Sequence, residues 1–206
     1  MRRYKYPRTT HIPWSPGVSA DDIKAKDFHF DGEVVITEKM DGENTTLYKD
    51  GLHARSIDSR YHPSRAWIRA YHGQIAHLIP EGFRICGENL YAKHSIYYTN
   101  LKSFFYVFSI WEGERCFSWD ETVEWAELLG VSVVPVLYRG AYDEKYVREL
   151  HENIDLDQQE GYVLRTSASF SLKDFSSQVV KWVRRNHVQT DTHWMHQKVI
   201  PNQCLE

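Results

Sequence analysis

Cysteine is scarce. Cys86, Cys116 and Cys204 are far apart, odd in number and without a pair at metal-ligand spacing, which argues against a disulfide framework or a zinc ribbon. They read as small core residues of a protein in a reducing compartment, so the expected location is the cytoplasm. Long apolar runs are missing too: no stretch approaches the roughly 18 residues that a membrane span requires. The basic start "MRRYKYPRTTHIPWSPG" lacks the apolar centre of a secretory signal. Nor is there an excess of one charge. A net charge of −3 gives no bulk potential for coating nucleic acid, although local basic patches remain, at Arg2, Arg3, Lys5 and Arg8 and again at Lys181, Arg184 and Arg185. No glycine-rich turn follows a strand in the dinucleotide-binding or P-loop manner. Repeats, low-complexity segments and long linkers are also absent.

What is present is 206 residues rich in Trp and Tyr, enough for one sizeable domain. Residues 1–32 read as an irregular arm, with Ser19 placed to cap a short helical turn, and residues 33–206 as the domain with a short tail. "EVVITEKMDGENTTLYKDGLHARS" alternates apolar and polar residues on both sides of Asp41-Gly42, and a second Asp-Gly follows at positions 50 and 51. Both predict hairpins over residues 33–57. The spacing of Trp67, Ile68, Tyr71, Ile75 and Leu78 predicts a helix, as do "SWDETVEWAELLG", with Ser118 or Asp120 as cap and Gly130 as stop, and "DEKYVRELHEN". "GFRICGENLY", "SFFYVFSIWEG", "VSVVPVLY", "EGYVLRT" and "SQVVKWVRR" predict strands. The sum is an α+β fold, mainly antiparallel sheets flanked by helices.

Within its hairpin, Lys39 reads first as an edge-strand charge that discourages aggregation. A second chemistry suits it as well. An amine that attacks the α-phosphate of a nucleoside triphosphate needs a lysine losing its proton, carboxylates for a metal, cations for the phosphate, a face for the base and a hook for the ribose. The chain supplies each part beside a strand: Lys39, then Arg55 in "HARSID", Glu88 after a glycine that leaves room for a sugar, Phe108 or Tyr106 over a base, Glu160, and Lys181 in "VVKWVRR".

The ordered set "EKMDGEN", "ARS", "GENLY", "FFYVFSI", "EGYVLR" and "VVKW" resembles the nucleotidyltransferase motifs of the ATP-dependent RNA ligases, most closely the nick-sealing group. It runs from Glu38 to Lys181. The resemblance implies a nucleotidyltransferase domain with the nucleotide in a cleft between sheets. It also implies a reaction joining 3′-hydroxyl and 5′-phosphate ends through lysyl-AMP and adenylylated RNA, with ATP and Mg2+ or Mn2+ as cofactors. By the same resemblance Lys39 carries the AMP, Glu38 reads adenine, and Asn44 stands where related DNA ligases have arginine. Arg55 contacts nucleotide or RNA phosphate, Glu88 holds the ribose, Phe108 stacks on adenine, Glu160 binds the metal through water, and Lys181 contacts the α-phosphate. The implied partner is RNA, in a nicked duplex or an RNA–DNA hybrid, handled by a monomer with no membrane association.

Two positions depart from that pattern. Val183 stands where a second lysine is usual, so that Arg184 or Arg185 becomes the candidate substitute, and Ser109 stands where Asp is usual. Those departures motivate a reading of another class, an end-binding module whose ligase-like site no longer turns over. A second enzyme reading keeps Lys39 and changes the substrate, as a DNA ligase or a capping-type guanylyltransferase, with Asn44 counting against both. The chain also ends soon after the last motif, which gives the arm a possible share in binding the duplex. There "YPRTTHIPWS" offers either Arg8 and His11 to RNA phosphate or a clasp that packs Trp14 on the domain. In the tail, His193 and His196 lie three residues apart, a spacing that suits one helix face and only weakly suggests a metal.

Overall fold

Period-two alternation gives each strand two faces, and in the central strands of this chain both are largely buried. The computed structural model describes residues 2–19, 22–26, 28–185 and 198–205; His193 and His196 lie outside them. In chain order the elements are β1 (Thr10–His11), β2 (Glu33–Lys39), β3 (Glu43–Tyr48), β4 (Gly51–Ala54), α1 (Ala66–Ile75), β5 (Phe83–Asn89), β6 (Phe105–Glu112), β7 (Arg115–Cys116), α2 (Trp119–Leu128), β8 (Ser132–Val133), β9 (Val136–Ala141), α3 (Glu144–Glu149), β10 (Gly161–Thr166), β11 (Phe170–Ser171), α4 (Phe175–Gln178) and β12 (Val179–Val183). The first sheet has the order β1-β12-β10-β2-β9. The second has the order β11-β7-β6-β5-β3-β4, with β8 beside β6. Among these strands only β1–β12 and β6–β8 pair in parallel.

The fold is α+β. The outer face of the first sheet carries Val34, Ile36, Tyr162, Leu164, Val180 and Trp182, packed under α3 and the arm residues Ile12 and Phe30. That of the second carries Leu47, Ile85, Phe105 and Val107 under α1 and α2. The inner faces meet through Val35, Met40, Tyr106 and Trp119 and, further along, through Cys86, Trp111, Cys116, Phe175 and Val179. Cys86, Cys116 and Cys204 are free thiols. No helix among the described residues is long and apolar enough to cross a membrane.

The hairpin expected at Asp41-Gly42 does not form. β2 pairs with β10 and β9, and β3 with β4 and β5, so residues 40–42 carry the chain from one sheet to the other. The Asp41 carboxylate accepts from the Ser95 and Ile96 amides and the Ser95 hydroxyl at 2.6–2.8 Å. Gly42 is required by proximity: a Cβ there would sit 2.5 Å from the Asn89 carbonyl oxygen. The Asp50-Gly51 hairpin does form, with Tyr48 opposite Gly51 at a φ of 146°.

The strand expected over "VSVVPVLY" divides at Pro135, with β8 in the second sheet and β9 in the first. Ser118 caps α2 through a reciprocal capping box with Glu121, and Gly130 ends it at a φ of 66°. The helix read over residues 62–79 is α1 with 3-10 turns at Pro63–Arg65 and Ala76–Leu78. The Ser19 carbonyl accepts from the Asp22 amide at 3.1 Å.

Candidate active site

Register brings the site together. Thr37 on β2, Val163 on β10, Lys181 on β12 and His11 on β1 form one row across the first sheet. In the next rows Lys39 lies opposite Gly161, and Val35 and Val179 flank Arg165. A cavity of about 400 Å3 opens between this face and the second sheet, within the range of small-molecule sites. Glu38, Lys39, Asn44, Arg55, Glu88, Phe108 and Lys181 all line it, as does the arm's Arg8.

Glu160 comes immediately before β10, and its carboxylate is bonded to the Lys39 amine. It is 5% exposed. Burial pulls the Lys39 amine down, but the charges of Glu160, Glu88 and Asp41 outweigh it and hold the amine above its ordinary value. Glu88 is pushed up to about 8, chiefly by burial and, against the pull of Lys39, by the Glu160 and Asp41 charges; its carboxylate accepts from the Gly42 amide at 3.2 Å. Burial raises Glu38 too, and Gln159 donates to it at 3.0 Å. Lys181 is held below its ordinary value by burial and by Lys39, while Asp22, 3.6 Å away, opposes the shift.

Phe108 reaches the cavity through a β-bulge. The register of β5 and β6 moves from Cys86–Ser109 to Gly87–Val107, leaving Phe108 as the extra residue, and bulges of this kind re-aim side chains beside functional sites. The Phe108 ring meets Tyr6 edge-on at 5.1 Å. Tyr106 turns instead to the core, its hydroxyl accepting from the Lys102 amide. Two polar atoms belonging to residues of the cavity wall, Asn44 Oδ1 and Arg165 Nη1, are buried without a hydrogen-bond partner, a state that a bound polar group relieves.

A model of the RNA ligase family matches residues 32–183. The chain belongs to the RNA ligase family. Compared by sequence with curated proteins, it matches none. Among solved structures, this RNA ligase family member is similar to an archaeal ATP-dependent RNA ligase (TM-score 0.55, 17% identity, 76% of this chain and 44% of that one). It is also similar to a putative ATP-dependent DNA ligase from Aquifex aeolicus (0.51, 19%, 76% and 45%). A third likeness is to a Naegleria gruberi RNA ligase mutant with ATP and Mn (0.51, 18%, 74% and 49%). At these identities the likeness shows the fold, that of nucleotidyltransferase-type ligases. The chain spans less than half the length of each of these three.

Two expectations about this family member change. Arg184 and Arg185 line a separate cleft with Trp14, His151 and Trp182, away from the cavity. Alternation accounts for Arg184: it is an even step from outward-facing Trp182, whereas Lys181 faces in. Gly87 does not leave room for a sugar, because a Cβ there would sit 2.5 Å from the Phe105 ring and the Tyr106 carbonyl oxygen. Ser109, in the place where Asp is usual, lines the cavity with its hydroxyl accepting from the Trp111 indole at 3.0 Å.

Asp22, Tyr6 and Arg165 also line the cavity and were not singled out from sequence. For Arg165 a signal existed, since it is two residues from Val163 on the same strand face. For Asp22 and Tyr6 there was none, because the arm has no periodicity to read. Among the described residues no three His, Cys, Asp or Glu side chains converge as a metal cage. Buried Glu160 is an oxygen donor of the kind on which Mg2+ rests when one or two carboxylates are completed by water and substrate phosphates, so the residues present fit that mode.

Proposed function

We propose that this chain is an ATP-dependent RNA ligase that joins a 3′-hydroxyl to a 5′-phosphate through lysyl-AMP and adenylylated RNA. One observation carries the reading: the Lys39 amine stands in a cavity whose wall brings Glu38, Glu88, Phe108 and Lys181 together from two sheets. The neutral Lys39 amine attacks the α-phosphorus of ATP; a P–N bond forms and pyrophosphate leaves. An RNA 5′-phosphate oxygen then takes the adenylyl group and the P–N bond breaks. Last, a 3′-hydroxyl attacks the activated 5′-phosphorus and AMP departs.

Phe108 offers a face to adenine, Glu88 an acceptor to the ribose, and Lys181 a charge to the α-phosphate, so that positioning and charge neutralisation supply most of the rate. Glu160 would hold Mg2+ or Mn2+, whose contribution when bound is to neutralise phosphate charge. Arg55 and Arg8, both exposed at the cavity, suit the RNA backbone. The proposed setting is the cytoplasm, the proposed state a monomer, and the substrate a nicked RNA duplex or RNA–DNA hybrid.

The test is intact mass after incubation with ATP and Mg2+ or Mn2+, using protein first stripped of AMP with pyrophosphate. The expected result is one added AMP in the wild type and none in Lys39→Ala. A folded wild type that takes no adduct with either metal overturns the ligase reading and leaves a module that binds nucleic-acid ends.

A further inference from the structure

The arm places a carboxylate where the family match, which starts at residue 32, does not extend. β1 lies against β12, so that His11 is level with Lys181 and the Ile12 amide donates to the Lys181 carbonyl at 2.9 Å. On its other side β1 holds the returning chain: the His11 amide donates to the Ile23 carbonyl and the Ala25 amide to the His11 carbonyl, both at 2.8 Å. That return sets Asp22 in the cavity wall, 3.6 Å from the Lys181 amine.

Two residues converge on Asp22 Oδ2. The Ser19 amide and hydroxyl donate to Oδ2 at 3.0 and 2.8 Å, and the ring of His11, 1% exposed, stands 3.4 Å from the same oxygen. His11 is fixed through Nδ1 by the Ser15 hydroxyl at 2.8 Å, and Ser15 Oγ in turn accepts from the Val183 amide at 3.0 Å. The chain of contacts therefore starts and ends on β12, and Lys181 is the group it presents to the cavity.

We propose that Asp22, braced by His11 and Ser19, is a positioning residue that fixes the Lys181 ammonium for the α-phosphate and keeps it charged. The assignment to phosphate rests on the ligase reading; the coupling of Asp22 to Lys181 does not. Lys181 needs such a companion because its other charged neighbours are Lys39 and Arg55, which disfavour its charge, and Glu160, which is already bonded to Lys39. The Asp22 carboxyl stays ionised well into acid, at about 2: burial resists ionisation, but the bonds from Ser19 and the charges of Lys181 and His11 outweigh it.

The test compares Asp22→Asn, which keeps the shape and removes the charge, with Asp22→Glu. Competitive amine labelling of the whole protein, read by peptide mass, follows Lys181 without reference to activity. In Asp22→Asn, Lys181 is expected to label about three- to tenfold faster near pH 8, with Asp22→Glu close to wild type; an unchanged rate overturns the coupling. Single-turnover transfer of AMP to Lys39 is expected to slow roughly 10- to 100-fold in Asp22→Asn with KM for ATP little changed, and to recover in Asp22→Glu. Wild-type transfer rates in both variants, with labelling changed, overturn the positioning role. If the wild type forms no adduct, the ligase reading fails, and labelling alone decides whether Asp22 governs Lys181.

Discussion

Lys39 and Glu88 both feel the charges of Glu160 and Asp41, and the consequences differ for the two. Lys39 retains its proton because Glu160 is bonded to it, so this ion pair guards the nucleophile. Glu88 is the group that yields: with a folded value of about 8 against an ordinary glutamate near 4.5, it stays neutral over a range in which the unfolded chain ionises. The unfolded state therefore binds fewer protons there. The associated stability is complete below the unfolded value and is lost as pH rises towards 8. Glu88→Gln, which cannot ionise, is expected to flatten the fall in melting temperature of the ligand-free protein between about pH 5 and 8. Melting curves across that range, wild type beside variant, check it, and parallel slopes would count against a neutral Glu88.

At the scale of elements, the crossing at residues 40–42 decides where Lys39 points. Gly42 tolerates no side chain because the Asn89 backbone occupies the space, so Gly42→Ala is expected to cost about 1–3 kcal/mol. Thermal unfolding reads this as a lower Tm, at about 2–4 °C per kcal/mol for a chain of this size. The same stretch shows what sequence can and cannot reveal. Asp50-Gly51 and Asp41-Gly42 look alike as dipeptides, yet only the first joins paired strands. The second is held by the Ser95 and Ile96 amides, partners more than fifty positions away that no local pattern encodes. Pro135 was similarly visible, but its division of a strand between two sheets depends on Val107 and Glu38: the Val134 amide donates to one carbonyl and the Pro135 carbonyl accepts from the other residue's amide. The helix over residues 118–130 was legible because its cap, stop and spacing are all local. The motif residues from Glu38 to Lys181 were legible as an ordered set. Asp22 was not, since its role comes from a chain reversal along β1.

At the scale of the molecule, two sheets face each other and the cavity belongs to neither alone. The crossings at residues 40–42 and 134–135 lie side by side, tied by the bond from the Glu38 amide to the Pro135 carbonyl at 2.8 Å. The arm closes the other margin, covering the β12 edge that would otherwise be an open template for strand addition. Removal of residues 1–31 is therefore expected to give a protein that self-associates and lacks a sharp thermal transition. Size-exclusion chromatography with calorimetry checks this, and a monomeric, cooperatively melting remainder would show that β12 does not need its cover.

The pairing of Thr10 with Val180 and of His11 with Lys181 also sets an order in time. During synthesis N-terminal segments emerge first, so β1 leaves the ribosome ahead of β12 and waits for a partner that is made last among the described strands. Until β12 arrives, His11 and Asp22 have no lysine to hold. The arrival of β12 thus completes the sheet and delivers the cation in a single event, and a nascent chain that already displays Lys39 is still without Lys181 and its anchorage.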